Sequence, residues 1–199
     1  MAEKLPVLII MTRWPSPGRC KNRLAKELGS YKAAQIQDRL IMHTLKVALS
    51  LEKKGLLTLQ LAISGIQINA AKRIGKTLGV NNIKIQSEGN LGLRMRQQII
   101  KSQQNRQIRN TILIGSDLPN LCELDLINAI NALRSNDLVF GPSQDGGYWL
   151  LGLADKILKP VSTFPFTGIP WGTNKVLESS LEKAKVQKKK CYLLQLNND

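Results

Sequence analysis

Apolar and polar positions along the chain follow two alternating patterns. Short apolar-rich runs occur at Leu5–Met11, Leu56–Ile63, Ile83–Ile85, Thr111–Ile114, Leu138–Phe140, Tyr148–Leu153 and Tyr192–Leu196, and each predicts a β-strand. Between them the apolar residues recur at helical spacing. Ile36, Leu40, Val47 and Leu51 predict a long helix, capped by Ser30 and ending near Leu51. Leu126, Ile127, Ile130 and Leu133 predict another over Glu123–Arg134. Further helices are predicted over residues 68–78 (stopped by Gly79), around Leu91, Met95 and Ile99, and over Val176–Ala184. Strands alternating with helices predict an α/β fold whose mainly parallel sheet is covered on both faces. No internal repeat and no long linker divides the chain, so residues 1–199 are expected to form one domain.

In open α/β sheets, ligands bind beyond the carboxyl ends of the strands. The loops that follow the predicted strands therefore carry the candidate chemistry. In Thr12–Leu24, Pro15 and Pro17 stiffen the backbone and Gly18 permits a tight turn or a close approach. Arg13, Arg19, Lys21 and Arg23 then place four cations just before a helix, which suits a diphosphate or triphosphate. The loop has neither the G-x-x-x-x-G-K-S/T nor the G-x-G-x-x-G pattern, and an ordinary basic surface loop has the same composition.

Asp117 follows the apolar strand Thr111–Ile114. A carboxylate there suits Mg²⁺ or Mn²⁺, with phosphate oxygens completing the shell; the alternative is a turn residue before Pro119. Asp145-Gly146-Gly147-Tyr148 fits a hairpin turn. It also fits a close approach to substrate, with Asp145 as a second ligand or as a base. Trp171 either packs in the core or walls a sugar or base pocket, and Thr173 or Asn174 is expected to cap the next helix.

Composition narrows the partners. A net charge of +15 attracts anions, whether nucleic acid, an acidic membrane or phosphorylated small molecules, although many of these side chains need only be solvated. Aromatic residues make up only 5% and no nucleic-acid motif is present, which argues against nucleic acid. Cys20, Cys122 and Cys191 are far apart and odd in number, which suggests a reducing compartment and no disulfide framework. The first apolar run is followed by Trp14, Pro15 and Pro17 rather than a cleavage site, and nothing approaches the ~20 apolar residues of a membrane span. A cytoplasmic location is expected. His43, the only histidine, lies between Leu40 and Val47 and is expected to be structural; Lys188–Lys190 reads as a solvated run.

Five segments in order resemble the bacterial radical-SAM/selenodomain-associated transferase 1 family, formerly a domain of unknown function, within the GT-A nucleotide-diphospho-sugar transferases. They are Pro15-Ser16-Pro17-Gly18 with Lys21 and Arg23, Gly89–Met95, Gly115–Pro119, Gly141-Pro142 with Asp145–Tyr148, and Gly168–Thr173. Asn90 and Leu93 stand where the family carries acids beside Arg94. The resemblance implies a three-layer, Rossmann-like GT-A fold, a nucleotide donor, and a divalent cation held by Asp117. On this reading Arg13, Gly18, Lys21, Arg23 and Arg94 bind the nucleotide phosphates. Gly146, Gly147, Tyr148 and Trp171 meet the substrate, and Asp145 acts with Asp117 in catalysis. The expected activity is glycosyl transfer from a nucleotide-sugar to a small-molecule acceptor. The alternatives are nucleotidyl transfer from a nucleoside triphosphate to a phosphorylated small molecule and, from another class, binding of nucleotide or nucleic acid without turnover. The oligomeric state is left open.

Overall fold

The residues with the strongest need to leave water form the middle of the molecule. In the computed structural model, which describes residues 4–103, 109–158 and 164–195, strand β1 (Val7–Arg13) lies inside a seven-stranded sheet. Its partners are β2 (Thr58–Ser64), β3 (Ile83–Ile85), β4 (Thr111–Ile114), β5 (Leu138–Pro142), β6 (Tyr148–Leu153) and β7 (Cys191–Leu193). The strand order is β3-β2-β1-β4-β6-β5-β7. Strands β3, β2, β1 and β4 are mutually parallel, β6 is antiparallel to β4 and β5, and β7 is parallel to β5. The carboxyl ends of β1 to β5 and the amino end of β6 therefore share one edge.

Alternation along β1 sends Leu8 and Ile10 to one face and Val7 and Ile9 to the other. The first face packs against α2 (Ser30–Lys53), α3 (Ile68–Leu78) and α5 (Glu123–Ala132). The second packs against α4 (Leu91–Ser102) and α6 (Val176–Val186). This is the expected three-layer α/β architecture.

Several local expectations are corrected. Ser30 does not cap α2; Gly29 holds that position with φ 84°, and Ser30 is the first helical residue. The segment before it is a seven-residue helix, α1 (Asn22–Leu28), which the loop composition concealed. The buried stripe of α2 is Ala33, Ala34, Gln37, Ile41, Thr44, Leu45, Ala48 and Leu51, while Ile36, Leu40 and Val47 are half-buried. Two polar residues lie on the buried face because each finds a hydrogen-bond partner there. Neither Thr173 nor Asn174 caps α6. Lys175 is the cap, and Thr173 Oγ1 instead donates to Pro170 O (2.8 Å) and accepts from Lys175 N (3.2 Å).

The first strand runs on to Arg13, the second starts at Thr58, and α5 ends at Ala132. The last strand ends at Leu193; Leu196 lies outside the described residues. Gly79 does stop α3, with φ 73° and its N–H on the carbonyls of Gly75 and Lys76. His43 is structural, its Nε2 lying 3.0 Å from Leu121 O. The three cysteines are unpaired, and no helix among the described residues is long and apolar enough to cross a membrane.

Candidate functional site

A cavity of about 500 Å³ opens at the carboxyl edge of β1 and β4. It is lined by Arg13, Lys21, Arg94, Asp117, Asp145 and Tyr148 among the residues singled out in the sequence. They come from the end of β1 and the loop after it, the first turn of α4, the loop after β4, and the β5–β6 turn with the start of β6, and the strand directions bring them together. Gly18, Arg23, Gly146, Gly147 and Trp171 lie outside the lining.

The floor of the cavity is a buried polar network. Thr12 and Ser116 extend neighbouring parallel strands, and their hydroxyl oxygens meet at 2.7 Å. Gln37 Nε2 donates to Ser116 Oγ at 3.1 Å. Gln86 Nε2 donates to the carbonyls of Thr12 (2.8 Å) and Ala62 (2.7 Å), and its Oε1 accepts from Arg94 Nη2. None of Thr12, Gln37, Gln86 and Ser116 is more than 7% exposed. A network satisfied in this way holds its members rigidly.

None of these four is among the site residues expected from the sequence. Gln86 directly follows β3, so the rule that found the other loops reaches it as well. Gln37 gave no signal, because a glutamine in mid-helix looks like a solvated side chain.

The cations are set around this floor. Arg13 Nη1 donates to Arg19 O at 2.9 Å, folding the first loop onto itself. Arg94 projects from the first turn of α4, whose start is fixed by Asn90, its side chain accepting from Leu93 N at 3.0 Å. Asn90 therefore caps α4 without an acid's charge. Burial, and then the charge of Arg13, push the Arg94 pKa below its usual value. Two guanidinium groups that repel across one cavity favour an anion between them. Lys21 adopts a left-handed backbone, φ 44° and ψ 51°, that non-glycine residues seldom hold. Its Nζ lies 3.0 Å from Asp117 Oδ2.

The β5–β6 turn presents Asp145. Its Oδ1 accepts from Ser143 Oγ (2.6 Å) and Gly147 N (2.9 Å). These bonds, that of Ser143 first, hold its carboxyl below the usual carboxylate range. An anion stabilised in this way is better suited to holding a hydroxyl or a cation than to removing a proton. Gly146 has φ 81°, and a Cβ there would run into Asn174 O, so the close approach it permits is to the chain before α6.

Trp171 packs edge-on to Tyr148, with ring centroids 6.3 Å apart, and its Nε1 donates to Phe166 O at 3.3 Å. Burial raises the Tyr148 phenol pKa. Ser180 lies near that phenol and donates its own proton to Val176 O at 2.7 Å, while Tyr148 Oη makes no hydrogen bond.

Among the described residues no group of three or more His, Cys, Asp or Glu side chains forms a metal cluster. Asp117 offers one exposed carboxylate, and Asp145 has an oxygen committed to its own turn. This donor set fits a Mg²⁺ or Mn²⁺ ion that brings phosphate oxygens and water as its other ligands. It does not fit an ion held by protein groups alone.

Residues 45–173 match the family described as "Uncharacterized protein conserved in bacteria (DUF2064)". No curated protein matches the chain in sequence. Among solved structures, the fold is similar to a provisionally named nucleotide-diphospho-sugar transferase from Desulfovibrio desulfuricans. The two are 26% identical with a TM-score of 0.82, over 98% of this chain and 81% of that one. It is also similar to Rv0371c from Mycobacterium tuberculosis in complex with manganese (13%, TM-score 0.57, 100% and 90% covered). A third similar structure is CMP:2-keto-3-deoxy-manno-octonic acid synthetase with CTP (10%, TM-score 0.56, 96% and 90% covered). At these identities the last two likenesses show the fold alone.

Proposed function

The chain belongs to the DUF2064 family, and on that premise we propose that it is a transferase that grips a nucleotide donor by its phosphates in the edge cavity. The convergence of Arg13, Lys21 and Arg94 on that cavity carries the reading. Glycosyl transfer from a nucleotide-sugar is the preferred reaction, and the resemblance to a provisionally named nucleotide-diphospho-sugar transferase supports it. Assignment to the radical-SAM/selenodomain-associated transferase 1 family, and a reducing cytoplasmic setting that suits three unpaired cysteines, belong to the same proposal.

In this reaction Arg13 and Arg94 hold the diphosphate, while Asp145 orients the acceptor hydroxyl. The acceptor oxygen bonds to the sugar C1 as the C1–O bond to the diphosphate breaks, a nucleoside diphosphate leaves, and the hydroxyl's proton passes to the departing diphosphate or to water. Asp117 would hold Mg²⁺ or Mn²⁺, which supplies charge neutralisation for the leaving group. The manganese complex of a related fold supports a cation here.

Nucleotidyl transfer is the second reading, favoured by the related fold that binds CTP. There a substrate oxygen attacks the α-phosphorus and pyrophosphate leaves. A thermal-shift screen of nucleotides and nucleotide-sugars, with and without Mg²⁺ or Mn²⁺, identifies the donor. Product analysis then separates the reactions: a nucleoside diphosphate supports glycosyl transfer and pyrophosphate supports nucleotidyl transfer. Binding without either product makes this a nucleotide-binding protein, and no shift with any compound refutes the proposal.

A further inference from the structure

Lys21 and Asp117 occupy the same cavity and are paired with each other. The two residues come from different loops, one just before α1 and the other after β4. The contact is 3.0 Å between Nζ and Oδ2. The Lys21 side chain is only 18% exposed and so points inward, whereas that of Asp117 is 60% exposed. Lys21 achieves this from a left-handed backbone at φ 44°. Such strain in a non-glycine residue persists only where the surroundings impose it, and it gathers at ligand sites and switches.

The pair changes the electrostatics of the site. Phosphates need Lys21, and they are repelled by an Asp117 that has no cation in front of it. While the two are paired, Arg13 and Arg94 are left as the guanidinium groups facing an incoming anion. A partly exposed ion pair is weak enough to exchange partners.

We propose that Lys21 is a placeholder for the divalent cation. Its ammonium holds Asp117 until a phosphorylated ligand and a divalent ion enter together; Asp117 then turns to the ion and Lys21 to the phosphates. Asp117 is thus a selectivity residue, disfavouring metal-free nucleotide as well as supporting the metal-bound form. This rests on the nucleotide reading above and deepens it.

The arrangement makes a prediction that a simple stabilising ion pair does not. Removing the metal-binding carboxylate strengthens metal-free binding, because the repulsion goes and Lys21 is released. The experiment measures by calorimetry the affinity of inorganic pyrophosphate, UDP, GDP and CDP, each in EDTA and in excess Mg²⁺. The proteins are the wild type, Asp117→Asn and Lys21→Met, each first checked for a native unfolding transition.

In the wild type, Mg²⁺ is expected to tighten binding roughly tenfold or more, the value of one charge-assisted contact. Asp117→Asn in EDTA is expected to bind roughly tenfold more tightly than wild type in EDTA, and to be nearly indifferent to Mg²⁺. Lys21→Met is expected to be weaker than wild type in Mg²⁺. Binding by Asp117→Asn in EDTA that is no tighter than wild type overturns the placeholder role and leaves the nucleotide reading standing. Failure of every protein to bind any probe in either condition overturns both.

Discussion

Gly92 tests whether the cavity depends on the close packing of α4. A Cβ built at this position falls well inside contact distance of Phe166 O and lies 2.6 Å from Trp171 Nε1. The first obstacle is backbone, so Gly92→Ala must push the first turn of α4 away from the segment around Phe166–Trp171. Overpacking of this kind costs about 1–3 kcal/mol. Alanine recovers up to about 1 kcal/mol of helix propensity. A net loss of about 1–2 kcal/mol lowers the Tm of a chain this size by about 2–8 °C.

Gly75→Ala is the control. It also lies in a helix and its Cβ is obstructed as well, by the buried Ile83 side chain, whose Cγ1 lies 2.9 Å away, and by Val80 O at 3.0 Å, but it stands outside the cavity lining. Its expected cost is of the same order, about 1–3 kcal/mol before the gain in helix propensity. Arg94 is two residues from Gly92, so Gly92→Ala is also expected to weaken pyrophosphate binding, while Gly75→Ala leaves it alone. Thermal unfolding and calorimetry on both variants decide the matter. If Gly92→Ala melts no lower than wild type and binds pyrophosphate like it, α4 is not seated as described.

Arg94→Met removes one guanidinium from the cavity and is expected to weaken pyrophosphate binding about tenfold in calorimetry, as loss of a charge-assisted contact should. Unchanged affinity would take Arg94 out of the site. Asp137 ties the start of β5 to Lys156 Nζ (2.7 Å) and Lys190 N (2.7 Å). Burial pushes its pKa up, but these partners outweigh burial and hold it below the usual value. Its folded pKa is depressed, so the stability it adds is present at neutral pH and is lost as pH falls below about 4. Asp137→Asn is expected to destabilise by about 1 kcal/mol at pH 7 and to flatten the acid limb of a urea-denaturation series. An unchanged acid limb would contradict this. Tyr148→Phe removes a buried hydroxyl that has no partner and is expected to leave unfolding stability unchanged or raise it by about 1 kcal/mol. A loss of stability would mean that Oη is bonded.

Much of the layout was legible in the pattern of apolar residues. Strand burial is a local demand of consecutive residues such as Val7–Ile10, so it shows in one dimension. The strand-end rule then located Arg13, Lys21, Asp117 and Asp145 without knowledge of their distances. α1 was hidden because its sequence, Asn22–Leu28, buries no residue and so shows no apolar stripe. The cap of α2 was misplaced because glycine can start a helix through its backbone, with no side-chain signal.

What the sequence by itself determined is the class of fold and the edge on which the chemistry gathers. Only the tertiary structure decided the inner surface of the site. Gln37, Gln86, Thr12 and Ser116 are polar residues that a one-dimensional reading assigns to solvent. They are buried because each finds its hydrogen-bond partner on another element. The pairing of Lys21 with Asp117 is of the same kind. The two positions are far apart in sequence, and only the parallel alignment of β1 with β4 brings their loops within reach. Apolar burial can be satisfied by any apolar neighbour, so a local pattern predicts it. A polar contact needs one complementary atom in one place, which folding alone supplies.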